Sequence, residues 1–301
     1  MDAERDHMEA MLTRSVKSAW HHVRYVPLWF ALLSSRWRSF ERRSHALGTT
    51  VGGIIRWFPF ARRRVDREVL RVYPLMPRRD RVMLGRDMGR NMGQTLFEIY
   101  HDAEFQTRLN RFNVSGPGLA ALDAARAAGK GAIIVSGHFG QWEAVRAVLK
   151  ARGMESGAVY KPQTNRHYQR RLLAGIEAGG KPILATGRVG TKALVRHLRA
   201  DGIISILLDE KYAEGVRMPF LGLPAMTSLS AAQLALKYDL PMVPAYGTRV
   251  GDGSRFEVTF EAAIPHSDAE TMTRAFNDSL SARILADPAQ WYWLLRRWDG
   301  A

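Results

Sequence analysis

No cysteine occurs among the 301 residues, which excludes disulfides, thiolate metal sites and a cysteine acyl-enzyme. Long apolar runs are missing as well. Tyr25 to Leu33 (YVPLWFALL) is too short to cross a bilayer alone, and Arg36 and Arg38 follow at once. The first residues mix Asp2, Glu4, Asp6 and Glu9 with Arg5 and lead into no extended apolar stretch, which argues against a cleaved secretory signal. There is no Gly-x-Ser-x-Gly elbow, no phosphate-binding P-loop and no dinucleotide fingerprint; Gly129-Lys130-Gly131 reads as a tight turn into a strand. His21-His22 lacks zinc spacing and a nearby carboxylate cluster, so it reads as interfacial or solvated. No DNA- or RNA-binding signature stands out. No cofactor and no metal are expected.

Charge is abundant but uneven. The formal net charge is +15. Between residues 10 and 97, eighteen Arg or Lys face five Asp or Glu, a surplus of thirteen that leaves the remainder close to neutral. A local basic segment suits a polyanion, whether nucleic acid, an anionic bilayer or an acidic protein. The same segment carries Trp20, Tyr25, Trp29, Phe30, Trp37, Phe40, Trp57, Phe58 and Phe60, and IIRWFPF (54–60) runs straight into Arg62, Arg63 and Arg64. Aromatic patches flanked by arginines fit a monotopic segment lying on an anionic leaflet. The bland reading is a solvated basic face on a helical subdomain.

Periodicity divides the chain in two. Residues 1–112 read as a helical, basic, membrane-associating region, its clearest helix at 78–100 after the breakers Pro74 and Pro77. Residues 113–301 read as an α/β catalytic domain. Its strands are expected at 132–136, 157–160, 182–185, 203–208, 242–246 and 256–260. Its helices are expected at 119–128, 141–152, 165–178, 191–199, 229–238 and 269–285. Alternation at this spacing predicts right-handed β-α-β units and a mainly parallel central sheet flanked by helices. The strand at 203–208 reads as covered on both faces.

The richest stretch is Ser136-Gly137-His138-Phe139-Gly140-Gln141-Trp142-Glu143, which follows the apolar run Ala132 to Val135. It puts a histidine and a carboxylate on the turn between a buried strand and the next helix, where α/β proteins gather their sites. A helix start disfavours a protonated imidazole, and a neutral imidazole backed by a carboxylate is a general base. The alternative is a core histidine with Glu143 as an ordinary first-turn acid. Lys161, Arg188 and Asp209-Glu210 likewise follow predicted strands and should emerge on the same sheet edge. A base, two cations and a further acid suit a transfer reaction in which an oxyanion or phosphate is held beside a hydroxyl being deprotonated.

With these residues in view, the chain resembles the bacterial lipid A late acyltransferases (the lauroyl/myristoyl family), within the His-x4-Asp/Glu lysophospholipid acyltransferase-like superfamily. Beyond SGHFGQWE the likeness includes Gly116-Pro-Gly-Leu and Gly129-Lys-Gly, Tyr160-Lys161-Pro162 with Asn165, and Arg188. It continues through Leu198-Arg-Ala-Asp-Gly202, Asp209, Val216 to Gly222 with Thr227, Leu240 to Pro244, and Gln290 to Trp298. The resemblance implies an enzyme at the cytoplasmic face of the inner membrane, peripheral or monotopic. It would take a fatty acyl group from acyl carrier protein to a hydroxyl of a lipid A precursor. It implies His138 as base, Glu143 as its orienting partner, and Arg188, Asp209 and Lys161 at the substrate. Asp209-Glu210-Lys211 departs from the Asp-x-Asp of many relatives and opens the acceptor to other lipids, such as an aminolipid or a phosphatidylinositol mannoside. A non-catalytic basic module binding membranes or nucleic acid is the remaining alternative, although nucleic acid is not the expected partner. Transfer would be direct, the oxyanion falling to a cation or to backbone N–H groups near Gly140 to Trp142. Trp291, Trp293 and Trp298 read chiefly as core packing.

Overall fold

The computed structural model describes residues 37–298, so the expectations for 25–33 and for His21-His22 lie outside the described residues. Three helices lead: α1 (Phe40–Trp57), α2 (Pro59–Val72) and α3 (Arg78–Tyr100), followed by the single turn α4 (Asp102–Phe105). Pro59 opens α2 at a position where its missing N–H costs nothing. α1 and α3 cross with their backbones almost touching: a Cβ on Gly93 would meet Gly48 Cα at 2.8 Å, and one on Gly89 would meet Gly52 Cα at 3.0 Å.

β1 (Phe112–Ser115) and α5 (Gly118–Ala127) come next, then β2 (Ala132–Ser136), α6 (Glu143–Ala151), β3 (Ser156–Tyr160) and α7 (Arg166–Gly179). These are followed by β4 (Ile183–Ala185), α8 (Arg188–Arg199), β5 (Ile203–Leu207), β6 (Val216–Phe220) and β7 (Leu223–Thr227). The last elements are α9 (Ser230–Tyr238), β8 (Met242–Val250), β9 (Arg255–Phe260) and α10 (Ala269–Ala286). Seven strands form one sheet in the order β1-β9-β8-β2-β5-β3-β4. All neighbours run parallel except β8 and β9. This is the mainly parallel, helix-flanked α/β sheet that the alternation predicts.

The two-residue period of β2 splits the core. Ile133 and Val135 join Leu194, Ala231, Leu280 and the tryptophans on one face. Ala132 and Ile134 join Leu122, Val145 and Val148 on the other. The leading helices share both cores, since Val65 and Met88 pack in the first and Phe40 and Phe97 in the second.

Three local expectations need correction. β1, β6 and β7 were not expected as strands. Pro219 and Pro224 lack ladder donors, but they face each other in an isolated antiparallel ribbon where such donors are dispensable. Its turn, Leu221-Gly222, has φ of 50° and 75°, the pair of positive values a two-residue hairpin demands. β8 runs on past Tyr246 to Val250 because β9 pairs with it throughout. In β5, Ile204 and Ile206 are buried, whereas Ile203, Ser205 and Leu207 are only half-buried, so one face is incompletely covered.

Candidate active site

β2 and β5 are hydrogen-bonded neighbours, Ser136 lying opposite Leu207. Their carboxyl ends therefore deliver His138 and Asp209 to one spot. The His138 backbone N–H donates to Asp209 Oδ2 at 2.7 Å, and the ring Nδ1 lies 2.8 Å from Oδ1. Trp291 Nε1 donates to the same Oδ2 at 2.8 Å. Gly137 permits this approach, because a Cβ there would stand 3.0 Å from Asp209 Oδ2 and 2.5 Å from Leu280. Asp209 is fully buried, whereas the His138 side chain keeps 19% of its surface exposed. With Nδ1 bound to the carboxylate, Nε2 is the nitrogen left for a substrate; no described residue hydrogen-bonds it. Trp142 presents its edge to the imidazole at 5.2 Å and Tyr292 leans over it at 6.4 Å.

Electrostatics follow from this contact. Burial opposes charge on His138, but the Asp209 carboxylate outweighs it, helped by Glu210, and holds the imidazole above its ordinary pKa. Burial likewise opposes ionisation of Asp209, yet His138 and the Trp291 N–H hold its pKa below the usual value. The Asp209 carboxylate thus acts against the neutral imidazole expected from a helix dipole. α6 begins only at Glu143, and the dipole acts within about one turn of the helix end.

Glu143 does not brace His138. It is buried and pairs with Arg146 Nη1 at 2.6 Å. Arg146 also reaches Ile176 O, Ser156 O and Gly180 O at 2.8 to 3.2 Å, tying α6 to α7 and β3. In the first turn of a helix, a side chain three residues before an arginine lies on the arginine's face, which explains the partner. Nearby Asp102 is pushed up to about 8 by burial and by the charge of Glu143. Glu143→Gln leaves Arg146 charged and short of its counter-ion. It should cost about 3 kcal/mol of stability in urea unfolding, while the folded fraction keeps its turnover within a few-fold. A collapse in turnover without lost stability would return Glu143 to the histidine.

Of the amides expected to serve an oxyanion, from Gly140 to Trp142, those of Gly140 and Gln141 are engaged. Gly140 N–H donates to Gln290 O at 2.9 Å and Gln141 N–H to Gly247 O at 2.7 Å. This loop is bolted to α3: Thr95 Oγ1 donates to Gly140 O at 2.9 Å and Gln141 Nε2 to Glu98 Oε2 at 2.6 Å. Glu98 in turn holds buried Arg249 through both guanidinium ends, at 2.8 and 2.7 Å. Sequence reasoning missed Glu98, Gln141 and Arg249 as a network, because only tertiary packing joins them.

The other expected residues lie along the same edge in strand order. Lys161 follows β3, exposed, with Nζ 3.8 Å from Glu210 Oε2. Arg188 opens α8 beyond β4, exposed. Strands spaced about 4.8 Å apart put β4 roughly 14 Å from β2. Arg188 therefore lies well away from His138. Two further cations lie near the pair. Arg64 of α2 donates to Leu294 O beside the C-terminal strap, and its charge acts on Tyr292. Arg297 is wholly buried, donating to Met226 O and Thr227 Oγ1 at 2.6 Å each. Burial lowers its pKa to about 10 against the pull of Asp209.

The profile of the family described as bacterial lipid A biosynthesis acyltransferase matches residues 13–299. Over 187 residues the chain is 28% identical to a phosphatidylinositol mannoside acyltransferase of Mycobacterium tuberculosis, covering 60% of this chain and 58% of that protein. It is 26% identical over 188 residues to a lipid A biosynthesis acyltransferase of Haemophilus influenzae, covering 60% and 57%. A phosphatidylinositol mannoside acyltransferase of Mycolicibacterium smegmatis is 26% identical over 183 residues, covering 60% and 59%. The chain thus spans under three fifths of the length of the curated relatives it matches.

Proposed function

Because the chain belongs to the bacterial lipid A biosynthesis acyltransferase family, we propose that it moves a fatty acyl group from an acyl carrier protein thioester to a hydroxyl of a lipid A precursor. The observation that carries this reading is His138, held by Asp209 through Nδ1 with Nε2 left open. Nε2 takes the proton of the acceptor hydroxyl as its oxygen attacks the thioester carbonyl. The tetrahedral species then breaks its C–S bond, and the imidazolium returns the proton to the departing carrier thiolate. Asp209 stabilises the imidazolium in between. The Gly140 and Gln141 amides are already bonded, and we assign the developing oxyanion to a cation. Lys161, carried by the strand beside that of Asp209, is our assignment. Arg188 binds the substrate further along the edge.

Incubating the purified chain with acyl carrier protein thioester and candidate lipids, and weighing the products by mass spectrometry, tests this directly. A mass gain of one acyl chain on the lipid is the expected result, and free fatty acid alone contradicts it. One specific finding favours a second acceptor. Relatives from two mycobacterial species are named for phosphatidylinositol mannoside, so a mannosylated phospholipid belongs in the same assay.

A membrane surface is the setting we propose, and the bend between α1 and α2 supports it. Trp57, Phe58 and Phe60 are 71%, 62% and 85% exposed there. Arg56, Arg62 and Arg63 flank them, and no acid occurs from Arg42 to Val65. Among the described residues no helix is long and apolar enough to cross a membrane. Arginines with protruding rings suit an interface rich in anionic headgroups. Trp57→Ser combined with Phe60→Ser should reduce co-sedimentation with anionic vesicles at least tenfold, an effect of about 1 kcal/mol for each ring partly withdrawn from the interface. Undiminished co-sedimentation would return the bend to a solvated basic face.

A further inference from the structure

We propose that Trp291 is a positioning residue for the His138–Asp209 pair: its indole N–H fixes one carboxylate oxygen so that the other stays on the imidazole. This rests on His138 acting as the base. A carboxylate turns easily about its last bond, so an aspartate bonded to the ring alone would leave the imidazole free to swing. Here Oδ2 is pinned by Trp291 Nε1 at 2.8 Å and by the His138 backbone N–H at 2.7 Å, which aims Oδ1 at Nδ1. The indole itself cannot drift. It is wholly buried and wedged among Phe220, Trp293 and Trp298, with ring centroids 5.6, 4.9 and 5.8 Å away.

The same segment holds the histidine loop by its backbone. Trp291 bridges Phe139, Tyr292 N–H donates to His138 O at 3.1 Å, and Gln290 O accepts from Gly140 N–H at 2.9 Å. One strap thus sets both members of the pair. Trp293 is an internal contrast, equally buried, with its N–H spent on Pro288 O at 2.6 Å. Packing alone requires no indole N–H on Asp209, and Trp293 shows a buried tryptophan that takes its partner elsewhere.

The other charged or titratable groups facing the pair come from each surrounding element. Glu210 stands beside Asp209, and Lys161 after β3 pairs with Glu210. Arg297 approaches from the C-terminal segment and Tyr246 from β8, and Arg64 acts from α2 through Tyr292. All are retained when only the indole N–H is removed. That N–H steadies the Asp209 anion. Without it the carboxylate is more basic and holds the imidazolium proton harder, so the His138 titration midpoint should move to higher pH.

The test replaces Trp291 in the full chain by 3-benzothienylalanine, which keeps the ring shape but puts sulfur where the N–H was. His138 is followed by NMR titration of labelled histidine, and turnover is measured with the same acyl donor and acceptor. The isostere should stay folded, with its melting temperature lowered by only a few degrees, raise the His138 midpoint and lower kcat about tenfold or more. Trp293→Phe should lower the melting temperature and leave the midpoint in place. An unmoved midpoint in the isostere, or an unchanged kcat in an active enzyme, overturns the proposal. If the wild-type chain transfers no acyl group at all, the proposed reaction falls, and the midpoint alone decides whether Trp291 governs the pair.

Discussion

His138→Ala should remain folded and lose acyl transfer by at least about 10³-fold in kcat. General bases contribute about 10²–10⁴, and this ring sits at the middle of the site without holding the fold together. Its side chain is partly exposed and makes its one side-chain hydrogen bond with Asp209. The backbone contacts of residue 138, to Asp209 Oδ2 and from Tyr292, survive the substitution. The expected signature is a near-wild-type melting curve and wild-type vesicle binding with only residual product by mass spectrometry. Turnover within a few-fold of wild type would remove the imidazole from the chemistry.

Asp209→Asn should cost about 10²–10⁴-fold in kcat, for a different reason. The ionised carboxylate accepts from Nδ1–H and so leaves Nε2 unprotonated toward the substrate. An amide can instead donate to Nδ1 and favour the opposite tautomer, in which Nε2 carries the proton and cannot act as base. The variant also loses the anion that stabilises the imidazolium. One amide oxygen can still accept from Trp291 or from the His138 N–H, so the loss of stability should stay small against the loss in rate. A variant that unfolds at wild-type denaturant midpoints and turns over at wild-type rates would show that Asp209 is not the partner.

These expectations invert part of what the chain suggests on first reading, and the reason is physical. The motif Ser136 to Glu143 was legible because an apolar strand followed by small and polar residues marks a sheet's carboxyl edge, and the structure puts His138 there. The spacing from His138 to Glu143 is equally plain in the sequence. It says nothing of side-chain direction, and the first turn of α6 aims Glu143 at Arg146, three residues on. The true neighbour of His138 depends on β5 lying beside β2, a strand order that no local pattern encodes. Asp209 was visible as a group on that edge, but its partner was not.

Trp291 repeats the lesson. Its hydrophobic bulk reads as core, correctly, while the destination of its N–H needs the fold. Lys161 and Arg188 were placed on the edge by the same rule that found His138, and their distance from it follows from β3 and β4 lying two and three strands from β2. β6 and β7 were hidden by Pro219 and Pro224, which are tolerated because that ribbon joins no larger sheet.

The pH dependence of kcat/KM separates the two carboxylates most directly. A base held by Asp209 predicts activity rising with pH through one inflection above the ordinary histidine value, since the raised pKa keeps the imidazole protonated, and inactive, to higher pH. Asp209→Asn removes the negative charge and should move that inflection to lower pH, while Glu143→Gln leaves it in place. An inflection that follows Glu143 and ignores Asp209 would contradict the account.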